Sequence, residues 1–294
     1  SSVHGAGRAA RARLDAARAR VARVIGRAPR EVLFTASGSE ACATAVLGLG
    51  RAGTLVTSAI EHPCVLLAAE RRGTPVVQVQ PGPDGRVSPD SFDAAVAQTA
   101  SLCALQAANN ETGVVQPADE VARMARARGV TSFVDAVQAP GRLSPEFEAD
   151  VVAYSAHKFG GPAGVGILAV RRGVKLEPLV PGHQEGGLRG GTPPVVLCEA
   201  AALVLVGLNG WWKTDEIVYG LEDSGSRVLV ADRGRFARIA EQLEVLKSIE
   251  AVFLIDADPS EFSDVVGTAA DRLHRFDELL AAPGPDLPDT PIDE

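Results

Sequence analysis

Apolar positions in the first two thirds of the chain follow two alternating rhythms. Short continuous apolar runs predict strands at Glu31-Val-Leu-Phe-Thr35, Thr54-Leu-Val-Thr-Ser58, Val76 to Val79, Leu102 to Ala107, Ser132 to Ala136 and Val151 to Ser155. Segments with helical spacing lie between them, at Glu40 to Leu49, Pro63 to Arg72, Ser91 to Ala97 and Pro117 to Ala127. Strand–helix alternation of this kind predicts an α/β fold with a mostly parallel sheet. Ligands of such sheets gather at the carboxyl ends of the strands. Ahead of the first strand, Arg8, Arg11, Arg13, Arg18, Arg20 and Arg23 are set among alanines, and Val21, Val24 and Ile25 close an apolar stripe. The stripe predicts an amphipathic surface helix, with an Arg-rich transit peptide as the alternative.

Near residue 207 the character changes. From Leu208 onward there are 8 Lys plus Arg against 19 Asp plus Glu, whereas the preceding residues carry 21 and 18. This shift marks a boundary between residues 1–207 and an acidic segment, 208–294, that contains both tryptophans, Trp211 and Trp212. The Pro- and Asp-rich end, Ala281 to Glu294, is expected to be loose. A net charge of −8 argues against a nucleic-acid surface. No apolar run is long enough to span a bilayer, and no secretory signal is visible, which points to a cytoplasmic protein. Cys42, Cys64, Cys103 and Cys198 have spacings that match no zinc or redox pattern, so reduced and mostly buried thiols are expected, with no metal site.

Several polar motifs fall at the ends of the expected strands. Tyr154-Ser-Ala-His-Lys-Phe-Gly-Gly-Pro162 holds Lys158, one of only two lysines before Leu208. A chain that writes Arg almost everywhere keeps a primary amine there, and a Schiff base requires one. The alternative is a surface lysine in a Gly-rich loop. Asp135 ends the strand Ser132-Phe-Val-Asp135, placed either to pair with a ring nitrogen or to cap a helix. Gln138 follows three residues on, within reach of a ring oxygen. Thr35-Ala-Ser-Gly-Ser-Glu40 exposes amides and the Ser37 and Ser39 hydroxyls at a helix start, a favourable phosphate site though a common turn. His62, in Glu61-His-Pro63, is either a ring-stacking imidazole or a structural hydrogen-bonder. Asn109-Asn-Glu-Thr-Gly113 is either a functional polar cluster or a turn.

Taken in order, these motifs resemble the cysteine desulfurases, within the class-V aminotransferase branch of pyridoxal 5'-phosphate (PLP) enzymes. The resemblance covers Ser1 to about Leu203. It is carried by Ser1-Ser-Val-His-Gly-Ala-Gly-Arg8, Glu61-His-Pro63, Ala108-Asn-Asn-Glu-Thr-Gly113, Val134-Asp-Ala-Val-Gln138, Ser155-Ala-His-Lys158 and Gln184-Glu-Gly-Gly-Leu-Arg-Gly-Gly-Thr192. It implies a PLP-transferase fold with Lys158 holding the cofactor, His62 stacked on its ring and Asp135 on its ring nitrogen. Gln138 and Asn110 would contact the ring oxygen or the substrate, and Gly38, Ser39, Ser155 and His157 the phosphate. Thr192 would reach the phosphate of the other subunit of a homodimer. The implied reaction converts L-cysteine to L-alanine with sulfur transfer.

Three departures are expected to impair it. The family's initial strand and its small C-terminal domain, with the persulfide cysteine and a carboxylate-binding arginine, have no counterpart here, and Cys42 and Ala43 replace a polar pair. A non-catalytic remnant or interaction protein that keeps the fold is the alternative. Residues from Leu208 resemble a helix–strand–helix fragment of the acyl-CoA synthetases, an adenylate-forming family, but contain no phosphate loop, so no adenylation is expected.

Overall fold

The computed structural model describes residues 4–50, 52–96, 100–204 and 213–281. The expectations for Trp211 and Trp212, and for the chain end from residue 282, lie outside the described residues. The chain divides into two compact units, Ser1–Gly207 and Leu208–Glu294.

In the first unit seven strands form one sheet. They are β1 (Val32–Thr35), β2 (Thr54–Ser58), β3 (Val76–Val79), β4 (Ala100–Gln106), β5 (Thr131–Asp135), β6 (Val151–Ser155) and β7 (Gly166–Val170), in the order β1-β7-β6-β5-β4-β2-β3. The run from β3 to β6 is parallel, and β7 is antiparallel to both of its neighbours, β6 and β1. β1 therefore points the same way as the parallel strands. Strands β2, β6 and β7 are buried along their whole length, as the continuous apolar runs of a sheet covered on both faces require.

The covering helices are α1 (Gly5–Val24), α2 (Gly38–Gly48), α3 (Pro63–Arg71), α4 (Pro89–Val96), α5 (Ala118–Ala127) and α6 (Val195–Val204). On one face α2 and α3 bury Ala41, Ala45, Val46, Val65 and Ala69 against Leu55, Leu102 and Leu168. On the other, α1 and α6 pack together, burying Leu14, Ala17 and Val21 against Val134, Val152 and Ile167. The arginine-rich start is thus an amphipathic helix with one face in the core. Phe92 of α4 and Val121 of α5 close a third cluster over β2 and β4.

Two elements of the first unit's sheet and its covering helices had no sequence expectation. β7, Gly-Ile-Leu-Ala-Val, directly follows a Gly-rich loop and returns antiparallel without an intervening helix, so it breaks the alternation by which the other strands were found. α6 is apolar almost throughout, with no polar face to reveal its period.

The second unit comprises α7 (Thr214–Ser224), β8 (Val228–Asp232), α8 (Arg233–Phe236), β9 (Ala251–Ile255), α9 (Ser263–Val266), β10 (Leu273–Arg275) and α10 (Phe276–Ala281). Its three strands form a parallel sheet in the order β10-β9-β8, with a core around Phe236, Leu243, Leu246 and Val252. Among the described residues no helix is long and apolar enough to cross a membrane.

Candidate active-site cleft

Five strands of the first unit end on one edge of its sheet, and each delivers a polar residue to a cleft of about 200 Å³. β1 leads to Ser37, Gly38 and Ser39, β2 to His62 and Cys64, and β4 to Gln106 and Asn110. β5 ends on Asp135 and leads to Gln138, and β6 supplies Ser155, His157 and Lys158. Every site residue expected from the sequence lines this cleft except Thr192, which is exposed and not among the lining residues.

The start of α2 is fixed by hydrogen bonds from both sides. Ser37 caps the helix by accepting the Glu40 N–H at 3.0 Å, while Thr35 Oγ1 donates to the Ser37 carbonyl at 2.9 Å. Glu40 in turn accepts the Ala36 N–H and is clamped by Arg189 at 2.5 Å. These contacts occupy the Glu40 carboxylate, and Gly38 and Ser39 of the first turn line the cleft. A Cβ on Gly38 would come within 2.7 Å of Ser155 Cβ, so only glycine lets the helix approach β6 this closely. Ser155 Oγ lies 3.0 Å from His157 Nδ1 across the same space.

The floor is acidic and sulfurous. Asp135 is buried at the end of β5, where its Oδ1 accepts the Val137 N–H at 3.0 Å. Burial raises its carboxyl above the usual range, offset in part by Val137, the Cys42 thiol and His62. His62 caps α3, its Nδ1 accepting the Cys64 N–H at 3.1 Å and lying 3.0 Å from Cys64 Sγ. The ligating atoms of Cys42, Cys64 and Asp135 all fall within 4.8 Å of one another. The hydrogen bond with Cys42, helped by His62, brings the Cys64 thiol down to about 7, whereas the same bond and burial push Cys42 well up. Beneath His62, the buried Glu61 accepts the Ser58 hydroxyl at 2.5 Å and the Gln106 N–H at 3.0 Å, and burial pushes it up to about 8.

Lys158 sits in the 3-10 turn Ala156–Phe159 that ends β6. Arg142 anchors the turn by donating to the Lys158 carbonyl at 3.1 Å, and Gly160, at φ +87°, closes it in the left-handed region. The Asn109 side chain folds its own loop, accepting the Glu111 and Thr112 N–H groups at 2.9 Å and donating to the Ile60 carbonyl, while Asn110 faces the cleft. The run is therefore a turn built on Asn109, with Asn110 lining the cleft beside it.

The sequence reading missed Gln106 and the Cys42–Cys64 pair. Gln106 has the only available signal, its position as a polar residue next to the end of the expected strand Leu102 to Ala107. The thiols have none, because α2 and α3 bring them together and linear spacing does not.

A doubly covered, mostly parallel sheet with a lysine, a buried carboxylate and a helix N-terminus meeting at its carboxyl edge defines the PLP-dependent transferase class of fold. The model of the class-V aminotransferases matches residues 1–207, and the chain belongs to that family, whose members are PLP enzymes. A cysteine desulfurase of Cereibacter sphaeroides is 40% identical over 227 residues, covering 71% of this chain and 59% of the relative. Cysteine desulfurase IscS of Dictyoglomus turgidum is 32% identical over 268 residues, covering 86% and 64%. The solved structure of SspA in complex with cysteine superposes with a TM-score of 0.67 at 32% identity, over 70% of this chain and 63% of that one. The chain thus spans less than two thirds of the length of these relatives.

Proposed function

We propose that this cleft binds pyridoxal 5'-phosphate and acts on L-cysteine, passing its sulfur to an acceptor thiol as a persulfide and leaving L-alanine. The observation that carries the reading is the convergence on one cleft of the Lys158 amine, the buried Asp135 carboxylate and the α2 N-terminus. The donor set fits the group at each end. The Gly38 cradle offers two amides, a hydroxyl and an imidazole to a phosphate. Asp135 offers a buried carboxylate, with no guanidinium or ammonium among the influences on its proton affinity, to a protonated ring nitrogen. The relatives named as cysteine desulfurases, and the neighbour solved with cysteine, support the substrate class.

When bound, the cofactor supplies an aldehyde that condenses with amines and a ring that withdraws electrons from the α-carbon. The protein's part is positioning and proton control. Gly38, Ser39, Ser155 and His157 hold the phosphate, while Asp135 keeps the ring nitrogen protonated. His62 covers one ring face, and Gln138 and Asn110 address the ring oxygen and the substrate. Lys158 is the one amine among the lining residues, so it serves both as the covalent anchor and as the base for the substrate α-proton. Thr192, exposed on its own chain, is assigned to the phosphate of a second copy in a homodimer.

The reading is tested by incubating the chain with PLP, reducing with borohydride and mapping the modified peptide by mass spectrometry. A pyridoxyl group on Lys158, lost in Lys158→Ala, is expected, followed by alanine formation from L-cysteine. A folded chain without the adduct would refute cofactor binding. An adduct without alanine would leave a cofactor-binding protein with no desulfurase turnover.

A further inference from the structure

Cys42 and Cys64 come from different helices, α2 and α3, which pack against each other on one face of the sheet. Their sulfurs lie within 4.8 Å of each other and of an Asp135 carboxylate oxygen. The two thiols are unlike. Cys64 is half-buried, opens on the cleft and has His62 Nδ1 at 3.0 Å from its sulfur, whereas Cys42 is fully buried behind it. An accessible thiol beside an imidazole is the arrangement that yields a reactive thiolate, and a second thiol in contact is what captures its oxidised form. Neither of the other cysteines shares this setting. Cys103 lies in the core over β2 and β4, its thiol pushed up by burial, and Cys198 is buried on α6 and pushed up to about 12, chiefly by burial.

We propose that Cys42 and Cys64 form a peroxide-sensitive dithiol site in the cleft wall, closed to a disulfide by hydrogen peroxide and reopened by thiol reductants, and that closure loosens the cleft's hold on its ligand. In the first step the Cys64 thiolate attacks one peroxide oxygen. The O–O bond breaks, an S–OH forms on Cys64 and the second oxygen departs as hydroxide. In the second step the Cys42 sulfur attacks the Cys64 sulfur. The S–O bond breaks and the oxygen leaves as water, carrying the Cys42 proton. The two sulfurs lose two electrons in all and the peroxide gains them. Closure contracts the sulfur separation to about 2.05 Å. It replaces the Cys42 thiol beside Asp135 with a sulfur that carries no proton and draws Cys64 from His62, so the surroundings of the two side chains assigned to the ring nitrogen and ring face both change.

The effect on the ligand rests on the cofactor reading above; formation of the disulfide does not. The test uses the full chain loaded with PLP, exposed to hydrogen peroxide, alkylated and digested with trypsin without reduction. Cleavage after Arg51 separates the peptides 31–51 and 52–71, which carry Cys42 and Cys64. These two peptides are expected to be joined, and to separate with dithiothreitol, while Cys103 and Cys198 stay free. Retention of PLP should fall on the order of 10-fold in the joined form, as loss of a hydrogen bond to a charged group entails, and recover on reduction.

In Cys42→Ser, peroxide should leave a dimedone-trappable sulfenic acid on Cys64. Should that variant not fold, limiting iodoacetamide on the reduced wild-type chain must modify Cys64 ahead of the other three cysteines. Peptides that stay unjoined, or a Cys64 no faster to alkylate than Cys103, overturn the proposal. A joined pair with undiminished PLP retention overturns the coupling to the ligand. A joined pair in a chain that gives no Lys158 adduct when reduced overturns the cofactor reading and leaves the dithiol standing.

Discussion

Buried polar residues around the cleft give the sharpest expectations. Glu61 is an acid whose proton affinity is raised by burial, so the unfolded chain ionises first as the pH rises. Stability is therefore lost from the ordinary carboxylate range up to about 8, where the folded carboxyl itself ionises, and the loss then levels off. One proton limits the slope to about 1.4 kcal/mol per pH unit. Glu61→Gln keeps an acceptor for Ser58 and Gln106 but cannot ionise, so its urea midpoint should fall less across that window than the wild type's. Equal slopes would show that Glu61 is not the group that titrates. Gly38→Ala forces a methyl against Ser155 and should cost roughly 1–3 kcal/mol in urea unfolding, with loss of the Lys158 adduct. Gly5→Ala meets nothing within 4 Å and serves as the control.

Among the elements, the loop that carries Thr192 is fastened to α1 and α2 by two ion pairs. Arg189 binds Glu40 of α2, and Glu185 accepts Arg18 of α1 at 2.6 and 2.8 Å and the Phe34 N–H at 2.8 Å. The Glu185 side chain is 1% exposed and Arg18 only 11%, so removing Arg18 strands a carboxylate in the interior. Arg18→Ala should cost about 3–5 kcal/mol of stability by chemical denaturation; a change below 1 kcal/mol would show that the loop relaxes to solvate Glu185. In sequence, Arg18 was one arginine of a basic helix and Glu185 one residue of a motif. Nothing in the spacing of the two, 167 positions apart, announced the pair. The strands behaved differently. β2 and β6 lie where the apolar runs place them, because a strand covered on both faces must be apolar along its whole length.

At the scale of the molecule, each unit has a hydrophobic core of its own: among the described residues three clusters belong to the first and one to the second. Separate cores unfold separately, so a calorimetric scan should resolve two transitions, and a single two-state endotherm would show the units to be energetically fused. Local pattern was enough to determine the α/β alternation, the basic amphipathic first helix and the polar residues at strand ends, because each follows from the period of burial within one element. Lys158, Asp135 and His62 were legible as candidates for the same reason: a polar residue ending an apolar strand has a fixed place in such a sheet. Only the tertiary structure decided what those residues meet. The antiparallel return of β7, the 2.7 Å approach at Gly38 and the Arg18–Glu185 pair are contacts between segments distant in sequence. So is the meeting of Cys42 with Cys64, two helices whose spacing in the chain carries no trace of their packing. Burial periodicity is a property of one segment and is written in it, whereas reactivity here depends on which segments touch, and that is set by how the sheet is ordered and covered.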